Sequence, residues 1–219
     1  MTISKYAAAA AFAAALVVGS AAQASDETRL VEKATRVAEH MKSDPAFSQA
    51  QDMLHRARAV LIIPGLVKGG FIFGAEGGDG VLMKRIGNKW SSPAFYSMGS
   101  ASFGLQIGLE KAEIVMLIMS DRALRGIQHD EFKIGAGGGI TAVTLSSGAE
   151  GATSGHGGDI VVWTSATGAY GGLTFNGSVI KPRHEWNADY YGKRVSVPVI
   201  LSSGVRNPDS RALQAELAN

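Results

Sequence analysis

The side chains best suited to moving protons or holding a metal here are five histidines, His40, His55, His129, His156 and His184. Their spacing puts no two on one face of a helix or strand, and the chain has no cysteine to complete a ligand set. His129-Asp130-Glu131 and His184-Glu185 read as solvated turn residues. A serine nucleophile would need a Gly-x-Ser-x-Gly elbow, and Gly99-Ser100-Ala101-Ser102 has the wrong spacing for it. Gly135-Ala136-Gly137-Gly138-Gly139 approaches a dinucleotide-binding turn, but Ile140 stands where the third glycine belongs and the run lies inside a strand-like segment. Asn176-Gly177-Ser178 matches a glycosylation acceptor but reads better as a turn or bulge between strand residues. The residues thus point away from an enzyme and imply no metal or other cofactor.

Charge placement says more. The formal net charge is only +2, which argues against a non-specific nucleic-acid binder. Cations nevertheless collect in two segments, Arg56, Arg58, Lys68, Lys84, Arg85 and Lys89 in the first, and Lys181, Arg183, Lys193, Arg194 and Arg206 in the second. Residues 110–131 are net negative. Two readings stay open: solvated turns around a β core, or one basic face. Close to an anionic bilayer, each lysine or arginine of such a face contributes about 1 kcal/mol.

Glycine spacing indicates the elements that must position these charges. No glycine falls in residues 25–64, whereas 25 of the 28 fall in residues 65–177. A helical N-terminal segment therefore precedes a glycine-rich β region. Before it, Lys5, an apolar run over residues 7–18 and Ala22-Gln23-Ala24 have the pattern of a secretory signal peptide, and the run is shorter than the ~20 residues of a spanning helix. Residues 26–42 carry Leu30, Ala34, Val37 and Met41 on one helical face, and the balanced polar face predicts a helix packed on its own domain. Ser43-Asp44-Pro45 restarts a helix whose stripe is Phe47, Ala50, Leu54 and Ala57.

Residues 59–63 form an apolar run ended by Pro64-Gly65, and residues 70–75 and 80–85 read as strands paired around a turn at Glu76-Gly77-Gly78-Asp79. Gly87-Asn88 makes the next turn. Strands follow at 95–102, 103–109, 113–120, 132–145, 159–165 and 170–180, with Asp121 capping a short helix over 122–127. Residues 195–201 read as a last strand before a partly helical tail. The expected fold class is α+β: N-terminal helices packed on a glycine-rich, strongly curved antiparallel β-sheet or partial barrel.

Several motifs in fixed order resemble one family. They are Ala59-Val60-Leu61-Ile62-Ile63-Pro64, Gly69-Gly70-Phe71 with Gly74, Gly78-x-Gly80-Val81-Leu82 and Trp90-Ser91-Ser92-Pro93-Ala94-Phe95. Ser102-Phe103-Gly104-Leu105-Gln106-Ile107-Gly108, the apolar strand ending at Met119 and Asn187-x-x-Tyr190-Tyr191-Gly192 complete the set. The chain resembles SYLF-domain proteins of the secreted bacterial type from about Leu30 to Tyr191. The resemblance implies a lipid-binding module. Eukaryotic members bind phosphoinositides and, in fungi, actin filaments, usually with an added Src-homology or FYVE module. The family's lipid contact involves an amphipathic N-terminal helix. Here that helix and the Asp44 just beyond it are net −1, so the strand-turn cations are expected to matter more.

Residues 1–24 are accordingly expected to be a signal peptide and residues 25–219 a single SYLF-like domain, exported to the periplasm or exterior and peripheral on a membrane. The partner expected is an anionic, phosphoinositide-like phospholipid surface, met by Arg56, Arg58, Lys68, Lys84, Arg85 and Lys89 first, and by Lys193 and Arg194 next. Phe71 and Phe95 are candidates for acyl contact, with core packing the alternative role. Two other functions fit the same residues: a carrier of one apolar ligand in the curved sheet, or an envelope interaction protein with an unidentified protein partner.

Overall fold

The computed structural model describes residues 24–48, 51–70, 73–103, 108–129, 131–134, 142–146, 158–167 and 177–218. The expected leader up to residue 23, Phe71, His156, the 135–139 glycine run and much of the 132–145 and 170–180 runs lie outside them. The described elements, in order, are α1 (Asp26–Ser43), α2 (Pro45–Ser48), α3 (Gln51–Arg56), β1 (Ala59–Gly70), β2 (Phe73–Ile86), β3 (Lys89–Trp90), β4 (Ala94–Phe103) and β5 (Gly108–Ile118). Then come α4 (Asp121–Ile127), β6 (Phe132–Lys133), β7 (Ala142–Ser146), β8 (Ile160–Thr167), β9 (Val179–Pro182), α5 (His184–Tyr191), α6 (Val197–Leu201), a 3-10 turn (Pro208–Ser210) and α7 (Arg211–Ala218). Among the described residues the strands form one strongly curved sheet in the order β6-β9-β4-β2-β1-β5-β8-β7, with β3 paired to β2. The expected α+β class holds. One pair departs from the antiparallel expectation: β7 runs parallel to β8.

The helix α1 forms because Ser25 caps it, its hydroxyl accepting the Thr28 N–H at 3.2 Å, with acids in the first turn and His40 and Lys42 in the last. Its stripe of Leu30, Val31, Ala34, Val37, Ala38 and Met41 is buried. Burying the four larger side chains contributes roughly 6–12 kcal/mol before entropy. The exposed Arg29–Asp26 pair adds at most about 1 kcal/mol. Apolar burial, not ion pairing, therefore holds α1 down. Helices cover both faces of the sheet. Val60, Ile62, Val81, Met83, Val115, Leu117 and Trp163 meet α1, α2, α3 and α7, while Leu61, Ile63, Leu82, Ile114, Met116 and Val162 meet α4 and α6.

Four expectations need correction. Pro64-Gly65 does not end β1; the strand runs through it with a register shift against both neighbours, as a proline in a central strand requires. Glu76-Gly77-Gly78-Asp79 is not a turn but lies inside β2, held extended by pairing with Ser100, Gly99, Met98 and Ser97 of β4. Its composition mimics a turn because glycine serves close backbone approach there instead. The 195–201 run is helical, since Ser196 precedes it and Pro198 sits in the first turn, which outweighs its β-branched content. Ser120, not Asp121, caps α4, accepting the Ala123 N–H at 3.1 Å. Gly87, by contrast, is at a turn as expected, with φ +59.

Candidate functional site

The N-terminal end of β1, the C-terminal end of β2 and the C-terminal end of β5 coincide, because Ala59 pairs with both Lys84 and Ile118. Arg56 and Arg58 lead into β1 there, and Lys84, Arg85 and Lys89 leave β2 and enter β3 there. The Arg85 N–H donates to the Arg58 carbonyl at 2.8 Å, fixing the two segments against each other. Arg56, Arg58 and Lys89 are exposed and Lys84 is half-buried. Five of the expected cations thus share one rim. Arg58 sits 3.5 Å from Asp121, and Arg122 pairs with Asp159 at 3.1 Å, so the acids of this rim are already engaged. Arg122 was not expected here, because its own segment is net acidic; only the sheet pairing brings it beside Arg58.

Arg85 has a different task from its neighbours. Its Nε donates to the Ala57 carbonyl at 3.0 Å and its Nη2 to the Leu54 carbonyl at 2.6 Å. Its guanidinium lies 4.2 Å from the centre of the Trp90 ring, and partial burial lowers its pKa. Those carbonyls belong to the last turn of α3 and the residue after it. Arg85 therefore positions the rim rather than extending from it.

Lys68 is not brought to this rim. It lies ten residues along β1 from Arg58, its backbone in register with Glu76 and Glu110, which at strand rise is roughly 30 Å away. Lys193 and Arg194 follow α5 and are exposed. The end of α5 reaches the rim side of β4 through the Tyr191 hydroxyl, which donates to the Pro93 carbonyl at 2.6 Å. Phe95 is fully buried against Tyr190, with ring centres 4.9 Å apart, which is the core role.

The two densest sequence motifs prove to be stitches that hold the rim's backing. In the first, Trp90 Nε1 donates to the Leu217 carbonyl at 2.8 Å and the Ser92 hydroxyl to the Val205 carbonyl at 2.7 Å. In the second, buried Asn187 accepts the Phe95 N–H at 2.9 Å and donates to the Phe95 carbonyl at 3.3 Å. Gly192 ends α5 in the left-handed conformation, φ +65. Trp163 ties the opposite side, donating to Asp44 Oδ2 at 3.0 Å.

Burial pushes the hydroxyls of Tyr190 and Tyr191 well above the ordinary tyrosine range, with Asp209 reinforcing the first and Tyr190 the second. Because the folded values are raised, this contribution is complete below a pH of about 10 and is lost above it, where the unfolded chain ionises first. The thermal midpoint is expected to fall above that pH, with the tyrosinate absorbance of these two among the five tyrosines appearing only on unfolding. Tyr190→Phe should reduce the pH loss. An unchanged midpoint across that range would contradict it.

The apolar stripe of α1 faces its own sheet, so the helix that the resemblance assigns to lipid contact is committed to the core. No helix of the described residues is long and apolar enough to cross a membrane.

Comparison with known proteins gives consistent matches. A family model described as "Las17-binding protein actin regulator", Ysc84, matches residues 99–219. LAS seventeen-binding protein 3 of Saccharomyces cerevisiae is 28% identical over 186 residues, covering 80% of this chain and 40% of that protein. Protein YSC84 of the same yeast is 30% identical over 161 residues, covering 71% of this chain and 34% of its own length. SH3 domain-containing YSC84-like protein 1 of Mus musculus is 26% identical over 151 residues, covering 68% and 44%. The chain thus spans less than half the length of these curated relatives. No solved structure matches the chain significantly.

Proposed function

The chain belongs to the Ysc84 family, and from that premise we propose that it is an exported, non-enzymatic protein that recognises anionic, phosphoinositide-like phospholipid head groups through its basic rim. The observation that supports this reading is the gathering of Arg56, Arg58, Lys84 and Lys89 at one end of the sheet, three of them exposed and Arg58 also within 3.5 Å of Asp121. A rim of mostly exposed cations suits a charged surface better than a single buried ligand, and each cation near an anionic bilayer contributes about 1 kcal/mol. Undocking α1 to insert it instead would forfeit the apolar burial that holds it. Lys193 and Arg194 are exposed just after α5, whose end is bonded to Pro93 ahead of β4. The lysine-led apolar leader supports export, so the surface met is one facing the periplasm or exterior.

The test is co-sedimentation with phosphatidylcholine vesicles carrying phosphatidylserine, comparing the parent chain with the triple variant Arg56→Gln, Arg58→Gln, Lys84→Gln. Removing three contributions is expected to weaken binding by about 3 kcal/mol, roughly 150-fold. Arg85 is left intact because it holds backbone carbonyls. An undiminished affinity in a folded triple variant would overturn the assignment of the rim.

A protein partner is the second reading, favoured by the family's description and by the names of its yeast relatives. Recovery of one protein and no lipid on the immobilised chain would favour it over the lipid surface.

A further inference from the structure

Between β3 and the C-terminal helices lies an open groove of about 560 Å³, whose wall includes Lys89, Arg206, Arg211, Ser203, Asn207 and Gln214. Its lining contains three cations and no carboxylate. Of the two acids next to lining residues, Asp209 accepts the Thr28 hydroxyl at 2.9 Å and Glu216 pairs with Lys42 at 2.5 Å. Lys89, Arg206 and Arg211 are exposed, and none of their charged ends makes an ion pair with a described residue. Cations gathered in a concavity without counter-charge repel one another unless an anion joins them.

The frame that holds these cations is rigid. Gln214 spends its amide hydrogens on the Trp90 and Ser91 carbonyls at 3.3 and 3.1 Å, and Asn207 donates to the Tyr190 carbonyl at 2.9 Å. Trp90 is bonded to Leu217 behind the groove. At the mouth, Ser203 adopts φ +59, the one non-glycine residue with positive φ among those described. The helix stop at α6 would ordinarily place glycine there. Here glycine is needed one residue later, because a Cβ on Gly204 would lie 2.8 Å from Val199 Cγ1. The strained position falls to a serine whose residue borders the groove, and non-glycine residues held this way cluster at binding sites.

We propose that this groove binds a phosphomonoester group. A dianionic phosphate presents three terminal oxygens, which suits two forked guanidiniums and one ammonium. A volume of this size also accommodates the small polar body that carries the phosphate. The same chemistry is offered by a phosphatidic acid head group and by a free phosphate ester. Only the lipid source rests on the reading above; Lys89 would then join the rim to a head-group pocket.

The test titrates the full chain with three probes: glycerol phosphate, phosphatidylcholine vesicles with phosphatidic acid, and the same vesicles with phosphatidylserine. Each is repeated on Arg206→Gln with Arg211→Gln, with circular dichroism confirming the fold. The expected result is binding of glycerol phosphate and a preference for phosphatidic acid, both weakened on the order of tenfold per arginine in the groove variant. Glycerol phosphate bound and lost in the variant, with both vesicles ignored, keeps the groove with a soluble ligand and ends the lipid reading. Both vesicles bound equally, with no glycerol phosphate binding and no effect of the variant, overturns the groove and leaves the rim. Failure of all three probes overturns both.

Discussion

Gly80→Val is expected to prevent the chain from folding cooperatively, and even Gly80→Ala should cost about 4 kcal/mol, in the range reserved for backbone clashes. A Cβ at Gly80 would lie 2.5 Å from the Ile62 carbonyl oxygen and 2.8 Å from Ile63 Cγ1. At Gly78 it would meet the Gly65 carbonyl oxygen at 2.8 Å. These oxygens belong to the β1 backbone around its register shift, so no side-chain rotation relieves the contact. The strands involved carry the rim at their far ends, and β1 is buried between two helical layers. A loss of that size is a large share of the 5–15 kcal/mol typical of a domain. Gly77→Ala is the control, since its Cβ would meet nothing nearer than the Met98 carbonyl oxygen at 3.9 Å. Chemical denaturation of the three variants measures the difference. Equal midpoints for Gly77→Ala and Gly80→Ala would show that β1 and β2 are not packed as described.

Asn187→Leu is expected to cost about 3 kcal/mol, by stranding the Phe95 N–H in the core and removing a fully buried amide pair. The Phe95 carbonyl keeps the Arg183 N–H at 2.8 Å, so the loss falls chiefly on the donor. Asn187→Asp should be worse. Its carboxylate can still accept the Phe95 N–H, but the second oxygen would face the Phe95 carbonyl with no proton between them, and the site is closed to water. Either change loosens α5 from β4. The readout is thermal unfolding, with Asn187→Asp partly recovering as falling pH protonates the new carboxyl. A near-neutral effect of both substitutions would mean that α5 docks without this pair.

The parts of this molecule legible in its sequence are those whose cause is local. The stripe of α1, the Ser43-Asp44-Pro45 restart and the Gly87 turn each declare themselves through neighbouring residues, and each is found. Misreadings arise where the cause lies across the fold. The glycines of residues 77–80 have turn composition, yet the reason for Gly78 and Gly80 is the β1 backbone around its bulge, at residues 62–66. Trp90 and Asn187 stand out in recurring motifs, but their partners, Leu217 and Phe95, lie 127 and 92 residues away. Nothing near either residue reveals a stitch. The rim follows the same rule. Arg58, Lys84 and Lys89 flank paired strands and so come to one end of the sheet, whereas Lys68, grouped with them by charge summed along the chain, does not. Arg122 and Arg211 carry no such local signal, since one sits in an acidic segment and the other in the tail.

If the rim meets an anionic lipid surface, binding follows lipid charge and salt. The chain is partitioned between phosphatidylcholine vesicles and the same vesicles carrying about one fifth phosphatidylserine, at low salt and at about 0.5 M salt. The expected result is sedimentation with the anionic vesicles alone, and release as salt screens the rim. Equal binding to neutral and anionic vesicles, or binding indifferent to salt, would contradict it.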